Sequence, residues 1–210
     1  DYSPNALVGS IDQVRIFDTA LTAGQVAELY QEIQCGCTTD TIDYPTTNTA
    51  YYKLDGGTGT TVTDETGTYN ATSTNVTYTA GKFDDAAVFN GSSSYMSVSK
   101  NLLPSNDIFT ISLWFKSGAS TSKQWLIGTR GNSATSGFAL QLWDNGTLNY
   151  SETNGTSGSS SSFFTTNTYD NNAWHNVVIV RNSSNTFSLY VDNNNVIPTT
   201  SITYAFTTNS

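Results

Sequence analysis

From Ala50 onward, apolar residues return at every second position in short runs, and clusters of Gly, Asn, Asp and Ser separate the runs. Ile111, Leu113 and Phe115 alternate with Ser112 and Trp114, and Phe187, Leu189 and Val191 alternate with Ser188, Tyr190 and Asp192. A period of two sends one set to each face of a strand. The pattern predicts strands over 50–54, 86–89, 94–98, 108–116, 124–129, 137–143, 147–151, 174–181 and 186–191. Many short strands at this spacing predict a sandwich. Asp144-Asn145-Gly146 between two alternating runs predicts a hairpin, because a primed turn needs positive φ and Asn-Gly supplies it cheaply. The Gly/Ser run 155–162 is expected to be an exposed loop.

The first fifty residues read differently. Residues 11–17 place Val14 and Ile16 against Arg15, the pattern of a half-buried strand. A helix near 23–32 follows, with Thr22 as N-cap and Gln25 completing a capping box. Leu21 and Val26 suit a hydrophobic staple, and Val26, Leu29 and Tyr30 line one face at helical spacing. Residues 35–49, with Pro45 and much Thr, read as a linker between a 1–34 segment and a main body over 50–210.

Composition narrows the function. The chain has 12% charged residues and 12% aromatic ones, including twelve Tyr and ten Phe, which suits pleated and half-buried surfaces. A formal charge of −9 repels phosphate backbones and anionic headgroups, so neither nucleic acid nor a membrane surface is an expected partner. No apolar run approaches the ~18 residues of a membrane span, and no basic and apolar leader opens the sequence. A soluble protein is expected, with any export signal outside this sequence. Cys35-Gly36-Cys37 is too tight for ordinary loop closure and lacks the partners of a zinc site. Free thiols, a small strained disulfide and a link to a neighbouring copy all stay open. Few Lys and a single Met favour an extracellular setting, and triplets such as Asn70-Ala71-Thr72 are not read as glycan sites.

A set of motifs then carries a resemblance. Ala50-Tyr-Tyr-Lys-Leu-Asp55, Thr61-Val-Thr-Asp-Glu-Thr-Gly67, Gly81 to Gly91, Phe109 to Phe115, Trp174 to Arg181 and Leu189 to Asp192 resemble successive signatures of the laminin-G-like jelly-roll family. Gly9 to Phe17 with Leu21 to Tyr30 is similar to that family's closing strand and C-terminal helix. The resemblance implies an all-β fold, a two-sheet antiparallel jelly-roll sandwich, often with a structural calcium. It also implies an unusual order, since the closing strand precedes the opening one. Either this segment closes its own module or it belongs to the preceding repeat of an array.

Candidate chemistry is sparse. His175, the single histidine, lies inside an expected strand, and no Gly-X-Ser-X-Gly elbow occurs. Glu65 and Glu152 stand alone in expected loops, without a paired carboxylate strand. An enzyme is therefore not expected. By the resemblance, Ca²⁺ would take Asp64 and Gly67 as one arm and Asp12 as the other; solvated turn carboxylates are the competing reading. Asp84 and Asp85 are weaker candidates of the same kind. Trp114 and Trp174 are expected in the core. Trp125, Trp143 and Tyr150 flank expected loops, and Trp143, Asp144 and Asn145, with Tyr150 and Arg130, offer a sugar platform of a flat ring beside amide and carboxylate groups, or else an ordinary sheet surface.

Two function classes follow. One is a non-catalytic adhesion module on a cell or virion surface or fibre, binding a glycan or surface protein. The other is a structural repeat that joins neighbouring copies head to tail by strand complementation.

Overall fold

The computed structural model describes residues 6–31, 47–56, 59–119, 121–129, 136–156, 159–183 and 185–206. The chain opens with β1 (Val8–Phe17) and helix α1 (Ala23–Gln31), then β2 (Ala50–Tyr52), β3 (Thr61–Val62), β4 (Ala71–Thr74) and β5 (Thr77–Ala80). Next come β6 (Asp85–Asn90), β7 (Tyr95–Ser97), β8 (Phe109–Ser117), β9 (Gln124–Gly128) and β10 (Gly137–Leu142). It closes with β11 (Thr147–Thr153), β12 (Ser160–Thr168), β13 (Trp174–Ser183), β14 (Thr186–Val191) and β15 (Asn194–Ser201). The large sheet runs β15-β14-β13-β8-β1-β6-β5, with β2 also on β1; a four-stranded sheet runs β12-β11-β10-β9; and a small sheet runs β3-β4-β7. All these pairings are antiparallel, as the resemblance implies.

The core lies between the large and four-stranded sheets. Phe109, Ile111, Leu113 and Phe115 of β8 face Phe138, Leu140 and Leu142 of β10 with Leu148 and Tyr150 of β11. Each fully buried Leu or Phe contributes roughly 1.5–3 kcal/mol by leaving water.

Strand β1 stands inside the large sheet. Ile16 pairs with Ile111 of β8 and Ala50 of β2, and Ile11 pairs with Phe115 of β8 and Ala87 of β6. Its register shifts between Asp12 and Arg15, where Gln13 holds φ at 52°. The bulge absorbs one residue, so Ile11, Val14 and Ile16 all reach the same core despite odd spacing.

Helix α1 covers the outer face of this sheet. Thr22 N–H donates to Gln25 Oε1 at 2.9 Å and Gln25 N–H to Thr22 Oγ1 at 3.3 Å, the reciprocal box read from sequence. Val26 and Leu29 then bury against Val178, Val180, Phe17 and Leu21. Tyr30 stacks on Trp114 at 5.6 Å, with the Lys82 ammonium 4.5 Å from the same indole. Trp114 is thus buried beneath the helix, not between the sheets.

Several sequence expectations need correction. Trp174 is half-buried at the start of β13, opposite Lys116, and stays out of the core. The expected loop at 155–162 ends earlier, because β12 begins at Ser160, and its Phe163 packs on Phe187 at 4.9 Å. β15 was missed because Pro198 sits in it, which an edge strand tolerates. The hairpin turn is real but not primed: only Gly146 is left-handed, at φ 80°, and its N–H donates to Trp143 O. That makes Asp144-Asn145-Gly146 a three-residue loop with the left-handed glycine as its last residue. Cys35 and Cys37 lie outside the described residues. Among the described residues no helix is long and apolar enough to cross a membrane.

Candidate ligand-binding face

The hairpin of β10 and β11 decides what the four-stranded sheet shows to solvent. Leu140, Tyr150 and Phe163 pair across three strands and point into the core. Their neighbours take the opposite face. There Trp125, Gln141, Asn149 and Phe164 form one row in register across β9, β10, β11 and β12. At strand spacings of ~4.8 Å this row is ~14 Å long. Two amides sit in its middle and an aromatic ring at each end.

The ends of the row are reinforced. Trp143 meets Phe164 edge to face at 4.8 Å, and Phe164 is 45% exposed. The Lys123 ammonium lies 5.3 Å from the Trp143 ring. Gln141 and Asn149 are buried between these rings, only 4% and 1% exposed, and Asn149 Nδ2 donates to Phe163 O at 3.3 Å. A parallel row of Gly128, Ala139, Ser151 and Ser162 has no bulky side chain. The outcome is a floor of small and amide groups bordered by rings.

Of the expected platform, Trp143 belongs to this face. Asp144 and Asn145 are exposed in the turn beside it, but Asn145 Oδ1 is taken by Thr147 N–H and Oγ1 at 3.1 and 2.7 Å. Tyr150 does not belong. It is fully buried, its ring 4.5 Å from Phe187 and its hydroxyl donating to Glu152 Oε1, because an even step along β11 from Leu148 keeps it inside. Arg130 lies outside the described residues. The sequence reading missed Gln141, Asn149 and Phe164; the alternation of Leu140 with Gln141 and of Leu148 with Asn149 was the available signal.

The expected calcium arms differ in fitness. Asp64 Oδ1 accepts Tyr51 and Thr66 N–H, while Oδ2 accepts Thr66 Oγ1 and the Thr68 and Tyr69 N–H groups. Burial pushes this carboxyl up, but the donors, led by the Thr66 hydroxyl, outweigh it and hold the group below its ordinary range. Surrounded by donors, Asp64 is poorly suited to a cation. Gly67 N–H closes the same turn on Asp64 O at 2.8 Å. Asp12 is different. Its Oδ2 accepts Lys82 and Phe83 N–H, both at 2.9 Å, while its buried Oδ1 has no partner. Burial, with a smaller push from Asp55, raises its pKa to about 6 despite those two N–H groups. Of the three, Asp12 is the one that keeps a carboxylate oxygen without a hydrogen-bond donor. Asp55 in turn is raised by burial and by Asp84. Among the described residues no three His, Cys, Asp or Glu side chains are grouped to hold a metal.

The remaining titratable groups are structural. His175 lies in β13 with Nδ1 2.7 Å from Asp192 Oδ2 and Nε2 3.0 Å from Asn171 Oδ1. Glu152, expected in a loop, is instead fully buried in β11 and paired with Arg181 at 2.9 Å.

The comparisons with known proteins agree with this fold. Among solved structures, the crystal structure of the binding domain of Paraclostridial Mosquitocidal Protein 1 superposes with a TM-score of 0.55 at 20% identity. The match covers 70% of this chain and 39% of that one, so the chain spans well under half of its neighbour's length, and the likeness is one of fold. No curated protein sequence matches the chain. A laminin-G-like model described as the concanavalin A-like lectin/glucanases superfamily matches residues 90–210, the stretch from the end of β6 through β15. Matched over more than half its length, and folded as two packed antiparallel sheets, the chain belongs to the concanavalin A-like lectin/glucanase superfamily.

Proposed function

We propose that this laminin-G-like module is a non-catalytic extracellular adhesion module that binds a neutral glycan on the outer face of its four-stranded sheet. The row Trp125-Gln141-Asn149-Phe164 carries the reading. Flat rings stack on the apolar faces of sugars, amides both donate and accept toward hydroxyls, and the ~14 Å row suits a short oligosaccharide. The neighbouring fold from the mosquitocidal protein is also a binding domain, which supports a binding role without naming a ligand.

A glycan array with the intact chain, followed by calorimetry on the hits, tests this. Binding lost in Phe164→Ala and Gln141→Ala but retained in a surface variant elsewhere, such as Glu28→Gln, is expected. Sugar binding that survives both changes would place the site on another face.

A second reading is structural, and the position of β1 favours it. β1 fills a slot between β8 and β6, so a neighbouring copy's equivalent strand would fit the same slot and link copies head to tail. The structural calcium suggested by the resemblance is proposed at Asp12, whose buried Oδ1 lacks a partner.

A further inference from the structure

The two sheets do not meet everywhere. At the end covered by β3, β4 and β7 they leave a cavity of about 690 Å³ whose wall includes Ile11, Val14, Phe89, Met96, Ile111 and Leu126. Its polar rim includes Ser99, Lys100, Asn101 and Thr129. Several apolar side chains bordering it, among them Val14, Met96, Val98, Leu102 and Ile127, touch the core but are only partly buried. They lack the close cover that interiors normally provide.

The volume falls within the ~300–1,000 Å³ of small-molecule sites. The charge around it is also selective. Among the described residues no Asp or Glu lines this cavity, and Lys100 is the charged residue that does.

We propose that the cavity binds a fatty acid, with its hydrocarbon tail between the sheets and its carboxylate at the Lys100 ammonium. The apolar wall gains by removing the tail from water. The lysine at the rim lets the head stay hydrated while it is paired, so little desolvation opposes binding. The site is separate from the glycan face, which lies on the opposite side of the four-stranded sheet.

Fluorescence titration of the full chain with cis-parinaric acid, competed by hexadecanoic acid or by 1-hexadecanol, tests the proposal. Saturable binding of one probe per chain is expected, with the acid competing about tenfold better than the alcohol. Lys100→Gln should bring acid and alcohol together. Leu102→Trp at the rim and Met96→Trp deeper in should each fill the space and remove binding, while the melting temperature shows that at least one of them folds. Absence of saturable binding, equal competition by acid and alcohol, or unchanged binding in a folded filling variant would each overturn it. Glycan binding measured on the same variants keeps this result distinct from that of the glycan face.

Discussion

Arg181 and Glu152 meet at 2.9 Å with both side chains fully buried. Glu152 Oε2 also accepts the Phe206 N–H at 3.2 Å, and Arg181 donates to Asp107 O and Phe206 O, both at 3.2 Å. Phe206, whose ring lies 4.6 Å from the guanidinium, is thereby pinned beside Phe109 and Phe138. Removing one member leaves the other charge buried. Glu152→Ala should cost roughly 3–5 kcal/mol, whereas the double change to Leu at both positions should cost much less. Urea unfolding with linear extrapolation measures both. A Glu152→Ala loss below ~1 kcal/mol would show that the pair is dispensable.

Asp12 gives the module a pH dependence of unusual sign. Its folded pKa of about 6 lies above its ordinary value of 3.8. The folded state therefore holds this proton more tightly than the unfolded state, and the contribution to stability falls as pH rises from about 4 to about 6. Asp12→Asn keeps an acceptor for Lys82 and Phe83 but cannot titrate, so this component of the slope should vanish. Millimolar Ca²⁺ at the free Oδ1 should favour the ionised form, flattening the same slope and raising the melting temperature in the natural protein only. Identical melting temperatures in Ca²⁺ and in chelator, across pH 4–7, would exclude a cation at Asp12.

The pattern of legibility follows from physical period. β8 and β14 were readable because apolar residues return at every second position, and β13 because Val177 to Val180 form a continuous apolar run, as suits a strand buried on both faces. Thr22, Gln25 and Val26 announced the helix because capping chemistry is local. β12 was hidden because Ser and Thr dominate it and its partner Phe187 is distant in sequence. Tyr150 was misassigned because a tyrosine beside a turn reads as exposed, and only its pairing with Leu140 shows the inward face. Asp12 was singled out as a calcium arm, and its N–H donors, some seventy residues away, are not visible in a linear reading.

The glycan face makes a graded prediction. Trp143 Nε1 has no hydrogen-bond partner, so Trp143→Phe loses no bond, and because the ring is only half-buried the smaller side chain should cost less than ~1.5 kcal/mol. It reduces ring area next to Phe164, so affinity for a bound oligosaccharide should fall by a few-fold, and Trp143→Ala should lower it by about tenfold or more. Calorimetry on the folded variants reads both effects. A Trp143→Ala protein that binds as tightly as the natural one would remove this ring from the site.

The strongest prediction concerns β1 and α1. Deleting residues 1–34 removes Leu7, Ile11, Ile16, Phe17, Leu21, Val26 and Leu29, all buried. At ~1.5–3 kcal/mol for each such side chain, the loss is of order 10–20 kcal/mol. A whole domain is stable by only ~5–15 kcal/mol. The cut also leaves β8, β6 and β2 without their β1 partner and bares Val178 and Val180. The truncated chain should therefore lose cooperative unfolding and aggregate through its open edges. In the intact chain, β1 closes its own sheet. Residues 32–46 extend to ~50 Å at most, which is ample either for that closure or for reaching a neighbour. Tethering sets an effective concentration in the millimolar range, so light scattering should report a monomer at micromolar protein. Oligomers that grow with concentration would instead favour exchange of β1 between copies, and a truncated chain that stayed monomeric with an unchanged melting temperature would show that β1 closes nothing.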